Sequence, residues 1–244
     1  MTERPAYVLT YQPSGQTVIR DFFNAYGEVQ SLLSRPPETR YASFGMRMAA
    51  IPQLENAEYW ELHGQEALSG RVRRLRVYVD GSVIFRASAD GSFLCWPRDL
   101  GGAVVNPVVV ADSVVSFCRF MRDLLLLTTI RPESGRFGVE IRNAGRSEPQ
   151  LMMYPGKLRK DFDMFVLEPS DMHTVGELSP RREVAVQTTD VLMAESSALY
   201  AGADATAYRM VQSFYGIFGF DDAAIPYVDR TGDRPYMNVG AFGT

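Results

Sequence analysis

Between residues 71 and 97 the chain reads RVRRLRVYVDGSVIFRASADGSFLCWP, with Asp80-Gly81 and Asp90-Gly91 each set between runs of β-branched and aromatic residues. A type I′ hairpin turn needs φ above zero at both central positions, and Asp-Gly meets that need at little steric cost. Two such pairs in succession predict a three-stranded antiparallel meander over about 72–96. If each pair centres a two-residue turn, Tyr78 pairs with Val83, Arg76 with Phe85 and Phe85 with Trp96, and directly paired residues share a face. One face would then present Arg74, Arg76, Tyr78, Phe85 and Trp96, and the other Leu75, Val77, Ile84, Arg86 and Phe93.

Helical periodicity occurs on both sides of this region. Val18, Ile19, Phe22, Phe23, Tyr26, Val29, Leu32 and Leu33 recur at three- and four-residue spacing, which predicts an amphipathic helix over 17–34 that Pro36 and Pro37 end. A second helix is expected from Asp112 to Leu127, with VVNPVVV as an extended lead-in and the Asp112 carboxylate as N-cap. RFGVEIRN, QLMMY and REVAVQTT have the character of strands, and ADATAYRMVQSFYGIF that of a helix stopping at Gly219. The expected class is α+β: a mainly antiparallel sheet containing the meander, with amphipathic helices packed on it. We assign residues 1–230 to one domain, with a long loop or internal boundary near 169–182, and 231–244 to a C-terminal tail on the surface.

With 244 residues, 46% hydrophobic and 22% charged, the chain can bury a substantial core and does not have a disordered composition. Its formal charge of −4 excludes nucleic-acid binding through the overall field, so any such binding requires a local patch. Cys95 and Cys118 lie in apolar runs without a CxxC or Cys/His cluster, as buried thiols of a reducing compartment would. The most apolar stretch, 103–130, is interrupted by Asn106, Pro107, Asp112, Arg119, Arg122 and Asp123, and the N-terminus lacks an apolar run of signal-peptide length. No membrane association is expected, and the chain reads as cytoplasmic.

Catalytic signatures are incomplete. His63 in ELHG and His173 in SDMHTVG are the only histidines, and neither neighbours a GxSxG elbow or a candidate cysteine nucleophile. HExxH and paired CxxC units are absent, so no metal or cofactor is implied. The acidic pairs Asp161/Asp163 and Asp221/Asp222 suit turns and helix caps as well as they suit a hard cation. DLGGAVVNP, SGRFG and YPGKLRK match no phosphate-cradling loop. The basic and aromatic face of the meander is the clearest binding candidate, because arginine and aromatic side chains on an open sheet can track phosphates and stack bases. The same row would serve a buried core equally well.

The segment AYRMVQSFYGIFGFDDAAIPYVDRTG, with the earlier GSFLCWP and SFCRFMRDLL, resembles the C-terminal accessory region of bacterial proteins whose N-terminal half is a Schlafen AlbA-type DNA-binding or ATP-binding domain. Phe218, Gly219, Phe220, Ile225, Pro226 and Asp229 carry that resemblance. The acidic-aromatic-lysine and glycine-rich strands of the AlbA-type half have no counterpart here, so the resemblance implies an accessory half and supplies no catalytic residues. The leading expectation is a non-enzymatic sensing, binding or oligomerisation module linked to nucleic-acid-directed regulation or antiphage defence. Its partners would be nucleic acid, a protein or N-terminal domain, or a second copy. One alternative is a hydrolase or nuclease in which Asp161, Asp163, Asp221, Asp222 and His173 converge only on folding. Another is a structural partner-binding domain, marked by an exposed apolar patch.

Overall fold

The computed structural model describes residues 5–35, 53–55, 58–64, 73–95, 103–143, 151–153, 173–174, 181–193, 196–238 and 240. The chain begins with β1 (Ala6–Pro13), β2 (Val18–Ile19), α1 (Glu28–Ser34), β3 (Gln53–Glu55), β4 (Tyr59–Gly64), β5 (Arg73–Tyr78) and β6 (Val83–Ser88). It continues through β7 (Ala103–Val104), α2 (Pro107–Leu126), β8 (Thr128–Ile130), β9 (Ser134–Arg142), β10 (Leu151–Met153) and β11 (His173–Thr174). The last elements are β12 (Arg181–Gln187), α3 (Thr188–Leu192), α4 (Ser196–Ile217), β13 (Val228–Asp229) and β14 (Tyr236–Met237). No helix among the described residues is long and apolar enough to cross a membrane.

Seven strands form one antiparallel sheet in the order β12-β9-β1-β6-β5-β4-β3. The α+β class, the mainly antiparallel sheet and a meander are therefore present as expected. The meander runs from β3 to β6, so the predicted segment supplies its last two strands. The second Asp-Gly pair makes a compact turn instead of a hairpin: Asp90 Oδ1 accepts from the Ser92 amide, and the Phe93 and Cys95 amides bond to the Asp90 carbonyl. The edge of β6 that this turn leaves open is filled by β1. Trp96 lies outside the described residues.

The first Asp-Gly pair does close a hairpin, but with a three-residue loop. The Gly81 amide bonds to the Tyr78 carbonyl and the Tyr78 amide to the Ser82 carbonyl, with Gly81 alone in the left-handed region at φ 82°. This is a type I turn followed by a glycine bulge. The extra residue moves the register by one, pairing Leu75 with Phe85, Arg76 with Ile84 and Val77 with Val83. Because side chains alternate with a period of two, that step sends Phe85 to the face opposite Arg74, Arg76 and Tyr78.

Phe85 belongs to the core. Tyr7, Leu9 and Tyr11 of β1 share a buried face with Val83, Phe85, Leu75, Val77, Trp60 and Leu62 on one side and Phe137, Val139 and Ile141 on the other. α2 and α4 cover this face. Tyr7 shares a hydrogen bond with Ser113 of α2 (3.1 Å) and meets Phe214 of α4 edge to face at 5.8 Å, while Phe117 of α2 packs edge to face on Phe137.

Two helix expectations need correction. The 17–34 stripe yields a helix only over Glu28–Ser34: Val18 and Ile19 are extended and pair with β8, Asp21 is left-handed at φ 50°, and Gly27 precedes the helix with extended backbone. The partner that draws Val18 into a strand lies more than a hundred residues away, beyond the reach of local periodicity. α2 starts earlier than expected. Asn106 caps it by accepting from the Val108 amide, Pro107 occupies the first turn, and Asp112 is buried within the helix instead of capping it.

α4 ends as expected. Gly219 is left-handed at φ 80°, the Phe220 amide bonds to the Tyr215 carbonyl and the Gly219 amide to the Gly216 carbonyl. Together with the Tyr215–Phe220 ring contact this forms a Schellman motif. Beyond it, β13 and β14 form a two-stranded hairpin in which Met237 is fully buried while residues 230–234 between the strands are exposed. Of the proposed boundary region, 169–172 and 175–180 lie outside the described residues.

Candidate functional site

The face of the sheet turned away from the helices is polar, and strand register arranges it in rows. One row runs Glu61, Arg76, Ile84, Thr10, Gly138 and Glu183 across six strands. The next runs His63, Arg74, Arg86, Val8 and Glu140. Beside them Tyr59 pairs with Tyr78, their rings 5.2 Å apart. Three of the five residues singled out from sequence, Arg74, Arg76 and Tyr78, therefore share one surface. Phe85 lies fully buried on the other side.

Glu61, on β4 beside the edge strand, organises one end of this surface. Its buried carboxylate accepts from Arg76 Nε, lies 3.5 Å from Arg74 Nε and contacts His63 Nε2 through its other oxygen. Burial is the largest single influence on Arg76 and acts against its charge; the hydrogen bonds to Glu61 and Tyr78, with the charges of Glu61 and Tyr59, together outweigh it, and the guanidinium pKa is raised. The Arg76 guanidinium also rests over the Tyr59 ring, 4.6 Å from its centre. Two strands beyond β6, Arg142 Nε donates to Glu140 Oε2 at 2.7 Å. In each case a carboxylate engages the Nε edge of the arginine, which fixes the plane of the fork while its terminal nitrogens lie beyond that bond.

A shallow recess of about 370 Å³ lies on this face, lined by Thr10, Ile84, Gly138 and Tyr78 together with two arginines, Arg136 and Arg142, and three carboxylates, Asp80, Glu140 and Glu183. A β-carbon at Gly138 would come within 2.4 Å of Thr10 Oγ1, so glycine keeps the recess flat. Arg86 and Arg136 add exposed positive charge, and Glu183 reaches Arg136 at 4.0 Å. Tyr59, Glu61, Arg86 and Arg142 are members of the surface that sequence reasoning did not select. The alternation in YWELHG, set against RRLRVY, was the available signal for the first two.

The residues of the hydrolytic alternative have other positions. Asp221 caps a short 3-10 helix at Asp222–Ala224 by accepting from the Ala223 amide, and Asp222 accepts from Tyr208 Oη and Gln212 Nε2. His173 lies on β11, in a small separate sheet, and Asp161 and Asp163 fall outside the described residues. Among the described residues no cluster of three or more His, Cys, Asp or Glu could hold a metal ion. Cys95 and Cys118 are buried, and burial pushes both thiols up, away from the nucleophilic thiolate.

Comparisons with protein-family models, curated proteins and solved structures found no match.

Proposed function

We propose that this chain is a non-enzymatic binding module that takes up a nucleic-acid strand on the polar face of its sheet. The observation that carries this reading is the pair of arginines, Arg74 and Arg76, held through Nε by one buried glutamate beside two tyrosine rings. A guanidinium fixed along one edge loses less freedom on meeting a phosphate, so anchoring by Glu61 lowers the ordering cost of binding. Tyr59 and Tyr78 supply stacking faces of the kind that hold bases without reading their sequence. The resemblance of the C-terminal segment to Schlafen AlbA-associated regions is consistent with a role in nucleic-acid-directed regulation or defence.

Fluorescence anisotropy with labelled single-stranded RNA and DNA across a salt series tests this. Arg74→Ala with Arg76→Ala is expected to weaken binding and to flatten the slope of log affinity against log salt by roughly 0.7 for each phosphate no longer neutralised. Glu61→Gln separates an anchored site from simple attraction. It raises the net charge of the face, so attraction alone predicts tighter binding, whereas loss of anchoring predicts weaker binding. No binding at low salt, or tighter binding by the folded Glu61→Gln protein, would overturn the proposal.

A further inference from the structure

A second surface lies where β2, which pairs with β8, approaches the β5–β6 turn. Val18 and Ile130, directly paired across β2 and β8, are 47% and 51% exposed, and Phe23 and Val79 are 59% and 42% exposed. Val18, Phe23 and Val79 line a single recess of about 710 Å³. Scattered apolar side chains on a surface are ordinary, but a set gathered around one concavity marks a contact site. The charged residues lining this recess are Asp21 and Asp80, and neither makes an ion pair among the described residues. Asp80 accepts from the Ser82 amide within the turn, a neutral bond that leaves its charge uncompensated.

We propose that this recess docks a segment of a protein partner that places a lysine or arginine between apolar side chains. The apolar walls match the flanking residues, and the two carboxylates match the cation. A second copy of the chain fits less well, because a two-fold contact would bring Asp21 and Asp80 of both copies together. Nucleic acid is disfavoured by the same charges. Asp80 also lines the recess on the arginine face, whereas Val18, Asp21, Phe23 and Val79 do not, so Phe23→Ser tests this site independently of the arginines.

Titrating the isotopically labelled full chain with the blocked tripeptide acetyl-Leu-Arg-Leu-amide, and with its acetyl-Leu-Glu-Leu-amide counterpart, tests the inference by amide chemical shifts. The arginine peptide is expected to give saturable shifts at Val18, Phe23, Val79 and Asp80, binding roughly tenfold tighter than the glutamate peptide. Asp21→Asn with Asp80→Asn should bring the two peptides to about equal affinity, since asparagine tolerates the left-handed backbone at 21 and preserves the turn at 80. Phe23→Ser should weaken both peptides. Equal affinities in the unaltered protein, shifts confined to other regions, or no saturable shifts would overturn the proposal. So would a concentration-dependent dimer that Phe23→Ser abolishes, because the occupant would then be a second copy.

Discussion

Asp229 illustrates how single side chains hold the C-terminal part of the fold. Its carboxylate accepts from the Thr231 hydroxyl and amide and from Tyr236 Oη, linking the two strands of the β13–β14 hairpin. These bonds, led by those from Thr231, hold the carboxyl below its ordinary 3.8. A carboxyl depressed on folding stabilises the native state above its unfolded value, and that contribution is lost as pH falls through the folded value. Asp229→Asn is therefore expected to reduce the acid sensitivity of stability below about pH 4. Urea midpoints measured through the acid range check this, and parallel losses in the two proteins would contradict it. Glu61 is a case of the opposite legibility. Its place in the alternating YWELHG was readable, but its two arginines come from the neighbouring strand and depend on register.

At the scale of elements, α4 shows how one residue type can act in opposite ways. Gly202 lies where a β-carbon would come within 1.9 Å of the Asp190 carbonyl oxygen, whereas a β-carbon at Gly216 meets nothing within 4 Å. Gly202→Ala would push α4 from α3 and should cost about 1–3 kcal/mol. Gly216→Ala should stabilise by up to about 1 kcal/mol, because glycine loses more backbone freedom than alanine in a helix. Denaturant midpoints of the two variants should move in opposite directions, and a shared direction would refute the steric reasoning. α2 and α4 were legible in their interiors through apolar residues at helical spacing, and the end of α4 through Gly219, whereas the start signals of α2 at Asn106 and Pro107 sit in a run that reads as an extended lead-in. The 17–34 stripe was misleading because long-range pairing with Thr128–Ile130 overrides helical periodicity at its start.

For the whole molecule, the meeting of Tyr7, Ser113 and Phe214 ties the beginning, middle and end of the chain into one core. Phe214→Ala should cost about 3–5 kcal/mol and leave unfolding as a single transition, with probes near Tyr7 and near the C-terminal hairpin changing together. Separated transitions would show that the parts on either side of 169–182 unfold independently. The sequence by itself determined the α+β class, the antiparallel hairpin at Asp80-Gly81, the two long helices and the stop at Gly219. These rest on terms that act within a few residues: positive φ at glycine, capping, and the period of apolar side chains. Only the tertiary structure decided that β1 fills the edge of β6, that the hairpin carries a bulge, and that Phe85 faces the core while Arg74, Arg76 and Tyr78 face outward. A one-residue difference in loop length changes little locally, but it exchanges the two faces of every strand it registers. Which face becomes core is settled by burial against distant α2 and α4.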